Sequence, residues 1–198
     1  MNRFFLYLAL YLGCCLPAQS WAGDATIAIE NRKYTLHHEL MLGGVLLPQN
    51  SFYKAAGVEL SYTLHLSNAF AWEPIRASLT TSWNTPLRKK LVENWNAEPE
   101  EFEIILQQYS TQFHFKPFYG KFSVLNKGLV RAELYFLGGT GLTFSTWRIR
   151  LHMSVGVGVR THLGANWSLR LELAEQLILG KEIEDNIAVH LGVARNFR

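Results

Sequence analysis

The sequence predicts an all-β protein, an eight-stranded antiparallel up-and-down transmembrane β-barrel with one long, partly helical external loop. Three observations carry this reading. Segments of about ten residues or more, the length a tilted strand needs to cross the hydrocarbon layer, alternate in polarity with period two. The chain opens on an export signal. The less apolar face of the strands mixes Gly, Ser and Ala with charges of both signs, which suits the narrow interior of a small barrel and not a water-facing surface.

The export signal occupies residues 1–22. Asn2 and Arg3 form a short basic start, Phe4 to Leu16 is almost wholly apolar, and Ser20-Trp21-Ala22 puts small residues where a signal peptidase cleaves. The apolar run is too short for a membrane-crossing helix. Both cysteines of the chain, Cys14 and Cys15, fall inside the signal, so the exported protein has neither a disulfide nor a reactive thiol. Residues 23–34 read as a polar periplasmic lead-in, and residues 35–198 as the barrel.

The first strand runs over Leu36–Leu47, with Leu36, His38, Leu40 and Leu42 on one face and His37, Glu39, Met41 and Gly43 on the other. Gly43-Gly44 would admit a bulge. The second, 57–66, sets Val58, Leu60, Tyr62, Leu64 and Leu66 against Gly57, Glu59, Ser61, Thr63 and His65, and Ser67-Asn68 turns the chain. The third runs from about Ala69 to Trp83. Its apolar parity slips at Pro74, which lacks a donor and marks a bulge there.

Residues 84–112 break the rhythm. Thr85-Pro86 has the form of an N-cap followed by a first-turn proline, and Leu87, Leu91 and Trp95 recur at helical spacing. Glu98-Pro99-Glu100-Glu101 reads as a second helix start, with Phe102, Ile105 and Leu106 as its apolar face. Strand periodicity resumes at about Phe113 and runs to 125, through Pro117.

The fifth strand sets Val130, Ala132, Leu134 and Phe136 against Arg131, Glu133 and Tyr135, and Gly138-Gly139 is expected to end it, with a loop over 142–149. The sixth opposes Leu151, Met153, Val155, Val157 and Val159 to His152, Ser154, Gly156, Gly158 and Arg160. The seventh opposes Trp167, Leu169, Leu171 and Leu173 to Ser168, Arg170, Glu172 and Ala174. The eighth places Ile187, Val189, Leu191 and Val193 on one face and closes the chain near Phe197, a terminal aromatic that reads as the barrel-assembly signal. Short connections are expected after even-numbered strands and longer ones after odd-numbered strands, the asymmetry of periplasmic turns and external loops. Trp72, Trp83, Trp147, Trp167, Tyr53 and Phe197 near the strand ends would supply the aromatic girdles.

The stretch 48–73, PQNSFYKAAGVELSYTLHLSNAFAWE, resembles the outer-membrane β-barrel domain proteins of the myxobacterial and deltaproteobacterial type. Asn50, Phe52, Tyr53, Lys54, Gly57 and the turn at 66–68 carry the match. KPFYGKF at 116–122, the Gly-rich sixth strand and the GVARNF ending are also similar. The resemblance implies an outer-membrane barrel and no defined activity.

Composition adds that 48% of residues are hydrophobic, 18% charged and 13% aromatic, and a formal charge of only +3 gives no argument for nucleic acid as a partner. Glu59, Arg131, Glu133, Arg160, Arg170 and Glu172 are expected to fill the lumen as a network of opposite charges, with Arg131, Glu133, Arg170 and Glu172 pairing between the fifth and seventh strands.

Two chemical alternatives arise. His152 and Ser154 match the His-x-Ser pair of an outer-membrane lipid A deacylase, a hydrolase reading weakened by their lumen-facing parity and by the lack of a nearby orienting carboxylate. His37, His38 and Glu39 look like a metal corner, but adjacent strand residues point to opposite faces. No catalytic residue, metal or cofactor is therefore assigned. The reading is a structural, anchoring or docking barrel in a bacterial outer membrane, with a narrow passive, porin-like channel as the alternative. Its expected partners are outer-membrane lipids and lipopolysaccharide, the barrel-assembly machinery during insertion, and a protein bound through residues 84–112.

Overall fold

The computed structural model describes residues 36–48, 52–88, 104–124, 128–180 and 184–197, with backbone alone at 122–124 and 128–129. The signal (1–22), the lead-in (23–34) and residues 89–103 of the long loop lie outside the described residues.

Eight strands follow one another: β1 (His38–Leu47), β2 (Tyr53–His65), β3 (Phe70–Asn84), β4 (Ile105–Val124), β5 (Gly128–Ser145), β6 (Ile149–His162), β7 (Trp167–Leu179) and β8 (Glu184–Phe197). Each pairs antiparallel with its sequence neighbour, and β1 pairs with β8, so the sheet closes without an edge around its circumference. Traced around the barrel through paired residues, His38 leads by Leu64, Trp72, Phe113, Gly138, Val155 and Glu175 to Ile187. His38 itself pairs with Phe197, ten residues further along β8. That stagger is the shear that tilts the strands and permits closure.

The period-two pattern becomes two faces. Leu42, Val58, Leu60, Leu79, Leu171, Leu173, Ile187 and Leu191 are each about half exposed or more on the outer wall. Glu39, Glu59, Arg160, Arg170 and Glu172 are at most 1% exposed on the inner one. The core of this protein is thus polar and its exterior apolar.

The bulge at Pro74 is present: register shifts between Glu73 and Arg76 against β4, and between Tyr62 and Leu64 on the β2 side. The Ser67 turn is closed by its hydroxyl, which accepts from Ala69 N at 3.2 Å and Phe70 N at 2.9 Å.

Five expectations need correction. The segment 84–112 is not all loop, because β4 begins at Ile105, and Ile105 and Leu106 lie on opposite faces of a strand instead of one helix face. Irregularity between Ile105 and Gln107 shifts the inward parity to Gln108, and that slip disguised the strand. Gly138-Gly139 does not end β5, which runs on to Ser145. A Cβ at Gly139 would sit 2.2 Å from the Thr111 carbonyl oxygen, so glycine here permits close strand contact and does not signal a turn. Gly43-Gly44 forms no bulge; register is continuous on both sides of β1. The expected loop asymmetry holds for the β3–β4 connection and, by a residue, for β1–β2 (48–52), but not for 146–148 and 180–183, which are as short as 163–166. Tyr53 points inward and is buried, whereas Trp83, Trp147, Trp167 and Phe197 are exposed.

Replacing Gly139 with Val is expected to destabilise the barrel by about 1–3 kcal/mol through overpacking against β4. Urea unfolding of the refolded protein, followed by tryptophan fluorescence, measures this.

Candidate functional site

Alternation on β1, β3, β5, β6 and β7 brings acids and arginines to one level inside the barrel. Arg170, on β7, is the hub. Its guanidinium donates to Glu39 of β1 at 2.9 Å, to Glu73 of β3 at 3.0 Å, and to Glu172 of its own strand. Arg160 on β6 bridges Glu39 at 3.0 Å and Glu133 of β5 at 3.1 Å. Arg76 on β3 holds Glu73 at 2.6 Å and reaches Glu172 across the lumen at 2.7 Å. These pairs tie five strands together through side chains, in addition to the backbone ladder.

Tyr135 sits at the centre, fully buried. Its hydroxyl donates to Glu172 and accepts from Arg170 Nε at 3.3 Å. Its ring stacks on His114 at 5.1 Å and lies 5.4 Å from the Arg160 guanidinium carbon. Gly158 makes room for it, since a Cβ there would meet the ring at 2.4 Å. Ser61 and Thr63 each donate to Glu73 at 3.1 Å.

The lumen is layered. At the end holding the chain terminus, Lys116 donates to His65 Nδ1 at 3.0 Å and to the Ser67 carbonyl at 3.2 Å. His65 must then carry its proton on Nε2, which faces Glu39 at 3.6 Å. The charged layer follows. Above it, His190 meets Glu59 at 2.6 Å, and Gln108 spans to Gln176 at 3.0 Å and Thr143 at 3.3 Å. At the opposite mouth Val45, Leu47, Ala55, Ile105, Ile178 and Ala188 pack together, each at most 4% exposed. This apolar cluster lines the inside of that mouth.

Of the sequence-predicted network, Glu133, Arg160, Arg170 and Glu172 meet in the charged layer. Glu59 lies in the next layer, bound to His190. Arg131 is half-buried at the terminus-bearing mouth, in register with Lys121 and His162. The pairing differs from expectation: Glu133 is held by Arg160, and Arg170 reaches β1 and β3. Sequence reasoning missed Glu39, Glu73 and Arg76. Glu39 already stood on the inward parity of β1. Glu73 and Arg76 are three apart and face the same way only because the Pro74 bulge intervenes.

The hydrolase pair lacks its geometry. His152 and Ser154 both face the lumen, at 1% and 5% exposure. His152 Nδ1 bonds Thr143 at 2.9 Å, and Ser154 Oγ has no hydrogen-bond partner, so the base does not touch the nucleophile. His38 is outside, 2.8 Å from the Tyr62 hydroxyl, while Glu39 is inside. Among the described residues no cluster of three His, Cys, Asp or Glu side chains is arranged to hold a metal.

No protein-family model and no curated protein matches the chain. Solved structures do. Neisserial surface protein A is 8% identical, with 81% of this chain and 97% of that one covered and a TM-score of 0.46. The attachment invasion locus protein Ail of Yersinia pestis is 11% identical over 82% and 100%, with a TM-score of 0.41. An outer membrane channel from Pseudomonas putida F1 is 9% identical over 89% and 100%, with a TM-score of 0.33. At these values the barrel assignment rests on this chain's own strand pairing.

Arg170→Met would leave Glu39, Glu73 and Glu172 short of a shared partner in a buried site. The expected loss is about 3–5 kcal/mol, the usual consequence of breaking a buried ion pair from one side. Arg170→Lys, with one point charge in place of a fork, is expected to recover only part of it. Equilibrium unfolding in detergent micelles ranks the three proteins.

Proposed function

We propose that the protein is an integral outer-membrane barrel that does not conduct, and that serves the cell envelope as a structural anchor and docking element. The inverted polarity of its two faces carries the reading. In water, a barrel with Leu, Val, Ile and Phe around its whole circumference would expose far more contiguous apolar surface than soluble monomers tolerate. In hydrocarbon that wall is matched, and the closed ladder leaves no backbone donor or acceptor facing lipid around the circumference.

The rims fit the same environment. Trp167 and Phe197 flank Arg195, whose guanidinium carbon lies 5.8 and 5.3 Å from their ring centres at the terminus-bearing end. Trp83 and Trp147 are exposed near the other. Aromatics paired with a long cation belong at a headgroup interface. The likeness of 48–73 to myxobacterial-type barrel proteins points to the same compartment. Outer-membrane lipids and lipopolysaccharide would then contact the wall, and Phe197 would present the terminal strand to the assembly machinery.

Against the channel alternative stand the ion-paired layer and the apolar cluster at the far mouth, which put paired charges and packed apolar side chains across the lumen. Against the hydrolase stands the missing Ser154–His152 contact. The docking role assigned to 84–112 now narrows to the connection before Ile105.

The protein is expected in the outer-membrane fraction with heat-modifiable gel mobility, and silent in planar bilayers. Recovery from the periplasm without that shift would defeat the membrane reading, and stepwise conductance would defeat the closed lumen. Leu171→Arg, at mid-height on the outer wall, is expected to cost about 2–4 kcal/mol in a bilayer. On a water-facing wall the same change would be nearly neutral.

A further inference from the structure

The Pro74 bulge also shapes the outer wall. Between the pairs Glu73–Gln112 and Arg76–Ser110, Pro74 and Ile75 of β3 face the single residue Thr111 of β4. Thr111 in turn stands directly opposite Thr140 of β5, so two short side chains meet on the outward face. Their outward neighbours Tyr109, Phe113, Leu142 and Met153 are large and each at least 40% exposed. The result is an open recess of about 300 Å³ in the wall, floored by Thr111 and Thr140 and flanked by Ile75, Tyr109, Leu142 and Leu151. That volume stands at the lower end of the range for small-ligand sites.

Among the described residues no charged side chain lines the recess. Its floor offers no free hydroxyl proton either. Thr111 Oγ1 donates to the Glu73 carbonyl at 3.2 Å and accepts from Trp72 Nε1 at 3.0 Å. Thr140 Oγ1 donates to the His152 carbonyl at 3.0 Å. Ring pairs beside the recess hold its edges: Tyr109 meets Phe144 edge-on at 5.7 Å, and Trp72 stacks on Phe113 at 6.2 Å. A site with these walls takes an uncharged, apolar occupant.

Paired residues move toward the far mouth on going from β1 to β8. The recess therefore climbs as it crosses from Ile75 on β3 to Leu151, which lies near the start of β6 at that mouth. With the termini on the periplasmic side, this is the outer-leaflet half of the wall. We infer that the recess is a binding site for one acyl chain of an outer-leaflet lipid. A leaflet supplies about 15 Å of hydrocarbon, so a chain entering from the far rim reaches the threonine floor. Hydrocarbon surrounds the whole wall, so van der Waals packing, not a hydrophobic gain, selects the site. A chain bent into the recess makes the contacts that a void forfeits. A flexible chain follows so small a floor, whereas a second copy of the barrel, with the same convex wall, meets only its rims. The inference rests on the compartment and orientation proposed above, and gives that reading a lipid site.

Photo-crosslinking of the full exported chain in phosphatidylcholine vesicles tests it, with a trace of phosphatidylcholine carrying a diazirine near the end of one acyl chain. Heat-modifiable gel mobility checks that each variant is folded before irradiation. Adducts on Thr111, Thr140, Leu142 and Leu151 are expected to exceed those on Leu171, Leu173 and Ile187 by about threefold or more per residue. Thr140→Phe fills the recess, leaves Tyr109 in place, and is expected to remove the excess. Thr140→Val keeps the recess, and Leu173→Phe alters another part of the wall, so both are expected to retain it. Even labelling around the wall overturns the proposal, as does an excess that survives Thr140→Phe. Labelling of the recess below that of the wall, the sign of a second copy seated there, overturns it too. The membrane reading is scored separately: adducts on Leu171, Leu173 and Ile187 keep it, and a wall free of label throughout would sink it.

Discussion

Arg170 is the point on which this structure converges. An eight-stranded barrel has an interior about as wide as the side chains that fill it, so polar groups placed there must satisfy one another. Arg170 does so for three carboxylates on three strands. Arg160 and Arg76 extend the set to Glu133 and to the far side of Glu172. Each acid of the layer accepts from at least one guanidinium, and Tyr135 fills the space between them over Gly158. Between the rims the outer wall can then be apolar, because the acids and arginines at this level of the strands are turned inward and paired.

That division of labour connects sequence to compartment. Period-two alternation alone fits a soluble barrel equally well, with apolar residues inside. What separates the two cases is which face holds the charges. Here the inner face holds them, stacked in layers: a basic mouth, the arginine–glutamate layer, an amide and histidine layer, and an apolar closure. A lumen so arranged ties the strands of the wall to one another through side chains.

Regular stretches were legible from the sequence, and irregular ones were not. β2, β6, β7 and β8 alternate without interruption, and their faces follow directly from residues such as Leu60, Val155, Leu171 and Leu191. β1 departs from apolar-out alternation beyond Gly44, because Val45 and Leu47 are apolar yet point inward at the mouth. β4 was shortened because a slip near Gln107 shifts its parity, and β5 because Gly138-Gly139 resembles a turn while serving close strand contact. The network was half visible for the same reason. Glu133, Arg160, Arg170 and Glu172 lie on clean strands, whereas Glu73 and Arg76 share a face only through a bulge. Which partners meet across the lumen depends on shear, which no single strand reveals.

The two faces of the wall are inverted relative to a soluble barrel. Nitroxide labels placed one at a time along β7 from Ser168 to Ala174, in the protein reconstituted in lipid vesicles, test it most directly. Inverted faces give high collision rates with dissolved oxygen at 169, 171 and 173, and low rates with both oxygen and a water-soluble paramagnetic complex at 168, 170, 172 and 174. High accessibility of 169, 171 and 173 to the water-soluble complex, with oxygen showing no alternation, would contradict it.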